Sequence, residues 1–477
     1  MNATPKIEAP TGQHKVVALS EVVDFNPRFG KDELADDSLA SFIPMKCVEE
    51  ESGRFEPLGD RKVVEVRKGY TPFRDGDVIF AKVTPCMENG KAAVLKGLTN
   101  GVGFGSTEFF ALRPKNGLEA KYLFHFILQS NFRRDAARNM TGAVGLRRVQ
   151  KSYLEQQLIP LPSSTEQRRI VAEIEKQFTR LEAGVVALRR VQVNLKRYRA
   201  AVLKAACEGR LVSTEAELAN TQNPKAEFET GKTLLARMLT ERRQNWRGRG
   251  QYKEPAAPDL ANLPQLAEGW TWARLEQLGL TFGGLIKNPK RAKLPKQLPY
   301  LRVANVYANE LRLEEIEYIG VEDSELQKLL VRTGDLLIVE GNGSKDQIGR
   351  LAIWDGTIDP CVHQNHIIKV RPVEARMPKW ILHWLQSPNG RHFVELVASS
   401  TSGLYTLSVN KVGDLPIALP PLAEQTRIVA EVERRLSVVE ALEAVVSANL
   451  QRATRLRQSI LQKAFTGELL QEDHKQQ

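Results

Sequence analysis

The chain has 477 residues, 42% of them hydrophobic and 26% charged, and a net charge of +11. This length implies more than one domain, and the balance excludes wholesale disorder. No run approaches the roughly 20 apolar residues that span a bilayer, while the basic excess suggests a polyanionic partner without locating it.

In chain order, the opening residues Met1-Asn2-Ala3-Thr4-Pro5-Lys6 form no apolar signal core, so a cytoplasmic location is expected. Residues 77–82 are a short apolar run behind a Gly-Asp turn and predict a strand; residues 121–129 predict an amphipathic helix. Residues 161–209 contain no proline after Pro162 and predict a long helix, capped by Ser163 or Ser164 and stopped at Gly209. A helix over 226–246 and a Pro-rich linker over 253–258 follow. Residues 335–340 predict another strand, 379–386 a short helix, and 422–465 a second long helix that stops at Gly467. The four cysteines lie far apart with no C-x-x-C, which argues against a disulfide framework or zinc knuckle.

The elements repeat. Residues 161–212 align without a gap on 419–470, an offset of 258, with 18 identities in 52 positions. The same offset pairs Gly76-Asp77 with Gly334-Asp335, Arg113-Pro114 with Arg371-Pro372, His125 with His383, and Gly145-Leu146 with Gly403-Leu404. A period this long means a duplicated domain rather than a solenoid. The expected organisation is a variable module (1–160), a helix (161–212), a joint (213–269), a second module (270–418), a second helix (419–470) and a polar tail (471–477). Both modules read as mixed α+β. In the helices, apolar residues recur every seven positions: Ile174, Leu181, Leu188, Leu195 and Val202, matched by Val432, Val439, Val446, Ala453 and Ile460. Five heptads predict that the two helices form a coiled-coil pair, each about 65 Å long at 1.5 Å per residue.

The charge excess does not sit on the modules. Residues 1–160 carry 23 basic and 20 acidic groups, and residues 270–418 carry 18 and 16; the first long helix (161–212) carries 11 and 5. Two local clusters could face phosphates: Lys287, Lys290, Arg291, Lys293 and Lys296, and Arg133, Arg134, Arg138, Arg147 and Arg148. Solvated loops are the alternative for both. No phosphate-binding G-x-x-x-x-G-K-[ST] loop exists, and the spacing of 341–345 is wrong for one. Residues 101–105 are glycine-rich without the context of a nucleotide site. Asn26-Pro27-Arg28-Phe29 lacks the second proline of an adenine-methyltransferase motif. Cys361, His363 and His366 suggest a metal but have no fourth ligand, and no nuclease-type Asp…[Asp/Glu]-x-Lys set is found. The polar run His363-Gln364-Asn365-His366 could read base edges or form a polar surface loop.

The order module, Leu161-Pro162…Glu166-Gln167 helix, module, Leu419-Pro420-Pro421…Glu424-Gln425 helix resembles the specificity subunit of type I restriction-modification enzymes over essentially the whole chain. The resemblance implies two target recognition domains, each reading half of a bipartite, asymmetric sequence in double-stranded DNA. It also implies an antiparallel coiled coil that acts as spacer, and no catalysis by this chain. The implied partners are two methylation subunits carrying S-adenosylmethionine and two restriction subunits using ATP and Mg. The positions matching loops expected to reach DNA are Lys82, Thr84, Ser106, Thr107, Arg147 and Arg148, then Asn342, Ser344, Lys345, His363, Gln364, Asn365 and Tyr405, beside the Lys287–Lys293 cluster. Two alternatives remain at this point: an enzyme with its own divergent site, and a coiled-coil adaptor for proteins alone.

Overall fold

The computed structural model describes residues 14–30, 33–143, 145–222, 227–246, 250–401 and 403–471, which leaves the N-terminal hexapeptide and most of the polar tail outside the described residues. The chain divides into two compact units, residues 1–190 with 446–477 and residues 191–445. No helix among the described residues is long and apolar enough to cross a membrane.

In the first unit, Val23–Phe25, Phe109–Pro114, Val78–Ala81 and Ala92–Val94 lie side by side as an antiparallel four-stranded sheet. Its central strand, Val78–Ala81, is buried on both faces, which explains its uninterrupted apolar sequence. A second four-stranded sheet orders Asp60–Lys62, Leu39–Ile43, Val102–Gly105 and Thr71–Arg74. Gly105 belongs in this sheet because a Cβ there would meet Ile43 O at 2.1 Å. The helix Ala120–Ile127 covers the core. Asn26 has φ 51, and its Oδ1 accepts the Ala111 N–H at 3.0 Å, so the Asn-Pro pair turns the chain out of a strand.

The second unit repeats the first of these sheets and its covering helix, while its other sheets have at most three strands among the described residues. Gly279–Phe282, Ile367–Pro372, Leu336–Val339 and Leu351–Ile353 form the antiparallel sheet, and Pro378–Gln386 is the covering helix. Several contacts recur at the offset of 258. Buried Asp77 takes a forked pair from Arg113 (2.8 and 2.9 Å), and buried Asp335 takes one from Arg371 (2.8 and 2.6 Å). Tyr122 Oη donates to Pro160 O, and Trp380 Nε1 donates to Ala418 O. Buried Gln167 and Gln425 each donate to the carbonyl five residues back, Pro162 O and Pro420 O, fixing the start of each long helix.

Those helices are Ser164–Cys207 and Leu422–Thr466. Ser163 Oγ accepts the Glu166 N–H at the first start. Both helices stop at a glycine in the left-handed region (Gly209, φ 68; Gly467, φ 84), where Arg210 N bonds Ala205 O and Glu468 N bonds Lys463 O. In the first unit Ile170, Val171, Ile174 and Phe178 share a core with Ile460, Leu461, Ala464 and Phe465. In the second, Val202, Leu203, Ala206 and Cys207 share one with Leu422, Ile428, Val432 and Leu436. Leu195, Val439, Val446 and Ala453 are buried, and Leu181 and Leu188 half-buried.

The joint is more built than a linker. Its sequence predicts one helix over 226–246; it holds Glu215–Gln222 and Gly231–Gln244. Leu234 and Met238 enter the second unit's core beside Trp270. Buried Glu424 accepts Trp270 Nε1 at 2.8 Å and the Glu215 N–H at 3.0 Å, while burial raises its carboxyl above the usual range. The apolar content of residues 231–238 carried this docking signal.

Candidate nucleic-acid interface

Three chain segments meet at one end of the sheet in each unit. In the first, Lys82 N donates to Glu108 O and Val149 N to Lys82 O, both at 2.9 Å, and Thr84 N donates to Arg147 O at 3.0 Å. These bonds bring Lys82, Thr84, Arg147 and Arg148 together with the turn bearing Ser106 and Thr107. Lys82 lies 5.6 Å over the Phe110 ring, and Thr107 and Arg147 are exposed. Arg148 is committed elsewhere. Its guanidinium forks onto Glu108 at 2.9 and 2.7 Å and holds that carboxyl below the usual carboxylate range. Arg133 is not a phosphate candidate at all: it is buried, bound to Glu88 O and Glu51.

In the second unit, Glu340 N donates to His366 O at 2.9 Å and Leu407 N to Glu340 O at 2.8 Å, while Asn342 pairs with Tyr405 across the strands. Every one of these positions is a first-unit position plus 258. The side chains differ. Lys82 and Glu108 become Glu340 and His366, and His366 Nδ1 lies 3.1 Å from Glu340 Oε2. Ser344 and Lys345 are exposed, with Lys345 Nζ 3.1 Å from Glu395; the side chain of Asn342 lies outside the described residues. Tyr405 and Asn365 are half-buried. Gln364 Oε1 accepts the Val303 N–H, and Asn365 N donates to Leu285 O.

One sequence assignment is corrected. His363 is 0% exposed, its Nδ1 is 2.9 Å from Ile367 O, and burial pushes its pKa down to about 3. It shapes the loop from within and faces no base edge. Cys361 is also buried, so this run does not gather as a metal site, and no group of three metal-binding side chains occurs among the described residues.

The basic loop 287–296 is tied to this region at its stem. Leu285 N donates to His363 O, and Gly284 passes so close that a Cβ would meet His363 O and Gln364 O at 2.3 Å. Although its sequence has no internal acid, the fold supplies them. Lys287 pairs with Glu317 at 2.6 Å, Arg291 with Glu325 at 2.7 Å, and Lys296 with Asp323 at 2.8 Å. Lys290 and Lys293 are exposed and make no ion pair among the described residues, so they are the cations this loop offers. The residues missed by sequence reading are Glu108 and Glu340, and the 258 offset was the signal that could have found them.

Residues 13–185 match the family model of the type I restriction modification DNA specificity domain. The chain carries a type I restriction-modification DNA specificity domain. The similarity of this chain to relatives runs further than that domain. It is 26% identical to the type I restriction enzyme EcoEI specificity subunit of Escherichia coli, covering 94% of this chain and 82% of the relative. It is 24% identical to the EcoAI specificity subunit of the same species, covering 94% and 81%. In fold it resembles a chain from a structural study of type I R-M system assembly, with TM-score 0.64 and 22% identity, covering 95% and 98%. The domain match and these similarities point the same way: residues 13–185 carry a DNA specificity domain, and the chain is similar to type I specificity subunits over most of its length.

Proposed function

We propose that each unit of this subunit reads one half of a bipartite, asymmetric DNA target through its three-segment cluster. The observation that carries this reading is one backbone frame displayed twice with different side chains: Lys82, Arg147 and the Arg148–Glu108 pair in one, Glu340, His366 and Tyr405 in the other. Phosphate contacts fix orientation and side chains at base edges specify sequence, so equal frames with unequal tips suit unequal half-sites.

The two long helices pair antiparallel as a coiled coil. This reading is supported within each unit, where the start of one helix shares a core with the end of the other. Such pairing relates the two modules by a pseudo-two-fold axis, so that they meet inversely oriented half-sites on one duplex. The outer helix surfaces dock two methylation subunits, which bring S-adenosylmethionine, and two restriction subunits bring ATP and Mg; this chain binds no cofactor and performs no catalysis. The subunit works in the cytoplasm. A genome methylation map with and without the gene tests the reading. Loss of one bipartite methylated motif is expected, and an unchanged map refutes it. A purified chain that bound S-adenosylmethionine or cut DNA unaided would refute the non-catalytic role.

A further inference from the structure

A surface leucine is ordinary when it stands singly, but one that recurs at the same place on two diverged surfaces needs a cause. Leu146 is 55% exposed and Leu404, its counterpart at the offset of 258, is 47% exposed. Each follows a glycine with φ 80. Glycine is the residue that adopts this backbone without strain, so Gly145 and Gly403 set the direction in which the next side chain leaves the turn. The surrounding residues are not shared: Leu146 precedes Arg147-Arg148, and Leu404 precedes Tyr405-Thr406. What the two turns keep is glycine followed by an exposed leucine.

Backbone hydrogen bonds hold both tips. Leu146 N donates to Ala143 O at 2.9 Å, and the chain closes so tightly that a Cβ on Gly142 would meet Leu146 O at 2.9 Å. The next residue, Arg147, is held through its carbonyl by Thr84 N and Thr84 Oγ1. In the second unit the strand Leu404–Thr406 is paired on both sides, by Ser399–Thr401 and by Gly341–Asn342. Each leucine therefore stands on the cluster assigned to DNA, beside an exposed arginine in the first unit. Leu146 is flanked by the exposed Gly145 and Arg147, and Leu404 by the exposed Gly403 and the half-buried Tyr405.

We propose that Leu146 and Leu404 are apolar wedges, each inserting between adjacent base pairs of duplex DNA at its own half-site. An aliphatic side chain has no hydrogen bond to offer a base edge, but it can fill the gap of a partly unstacked step and kink the duplex, favouring steps that unstack easily. Each wedge would thus add sequence preference at a position where no polar contact is made. The inference rests on the DNA-reading function proposed above.

The test uses the specificity subunit assembled with its methylation subunits, on a duplex carrying the motif found by methylation mapping. 2-Aminopurine is placed at successive steps through both halves, with footprinting of the same complex. Binding should raise fluorescence at one step in each half. Leu146→Ala should abolish the rise in one half only and Leu404→Ala in the other, each weakening binding roughly ten-fold through the lost apolar burial. Leu146→Met should retain the signal. A complex that footprints both halves without any fluorescence rise overturns the wedge and leaves DNA reading intact. So does an alanine variant that keeps the rise, or one that binds DNA normally but sheds a methylation subunit. Absence of any specific footprint overturns both readings together.

Discussion

The two modules share a buried polar frame and differ at the exposed cluster. Asp77 with Arg113 and Asp335 with Arg371 hold the same forked geometry around a buried carboxylate. At the cluster the backbone bonds still match, yet Lys82 and Glu108 give way to Glu340 and His366. Packing and buried polar groups tolerate little substitution, whereas a loop tip fixed by its backbone accepts almost any side chain. A duplicated frame can thereby diverge in what it reads without losing its fold.

The largest expected effects break the frame. Removing one partner of a buried pair leaves a charge without compensation, so Asp77→Ala and Asp335→Ala should each destabilise their own module by about 3 kcal/mol in chemical denaturation. A loss in only one module would show that the frames are not equivalent. Next come the helix positions matched by the offset, Ile174 and Val432, both fully buried. Ile174→Ala should cost roughly 2–4 kcal/mol and Val432→Ala about 2 kcal/mol, read as reduced unfolding midpoints.

Acid should separate the modules. Burial pushes His125 down to about 3, His363 to about 3 and His383 to about 4, so all three are neutral in the folded chain. Unfolded, they take up protons near pH 6.5. Their contribution is fully present above about pH 6.5 and is lost as pH falls toward 3–4, by up to about 1.4 kcal/mol per pH unit for each. The second unit holds two of them and the first holds one, so amide protection factors, corrected for the intrinsic exchange rate at each pH, should fall more between pH 7.5 and pH 5 within residues 191–445 than in the first unit. An equal fall in both units would contradict this. The smallest effect belongs to the basic loop. Lys290→Gln with Lys293→Gln should leave stability within about 0.5 kcal/mol and lower the logarithmic salt dependence of DNA binding by roughly 1–2. Arg291→Gln, which removes the pair with Glu325, should also reduce stability.

Much of the fold was legible because it depends on local patterning. The apolar run at 77–82, the heptads at 174–202 and the stops at Gly209 and Gly467 each carry their own period or backbone requirement, and the 258 offset tied them together. The joint helix Glu215–Gln222 was not legible: it is polar, and its anchor is Glu424, some two hundred residues away. The site was legible only as a neighbourhood. A lysine cluster without acids in sequence acquires Glu317 and Glu325 from other strands and helices, and His363 sits in a polar run yet points inward. Pairing across the fold decides which charges remain for a ligand, and no local window contains it.

The most direct measurement exchanges residues 1–160 for the corresponding module of another specificity subunit and maps genome methylation by the assembled complex. Two independent reading heads predict that one half of the methylated motif changes and the other half stays the same. A motif that remained whole, or changed in both halves, would contradict the account.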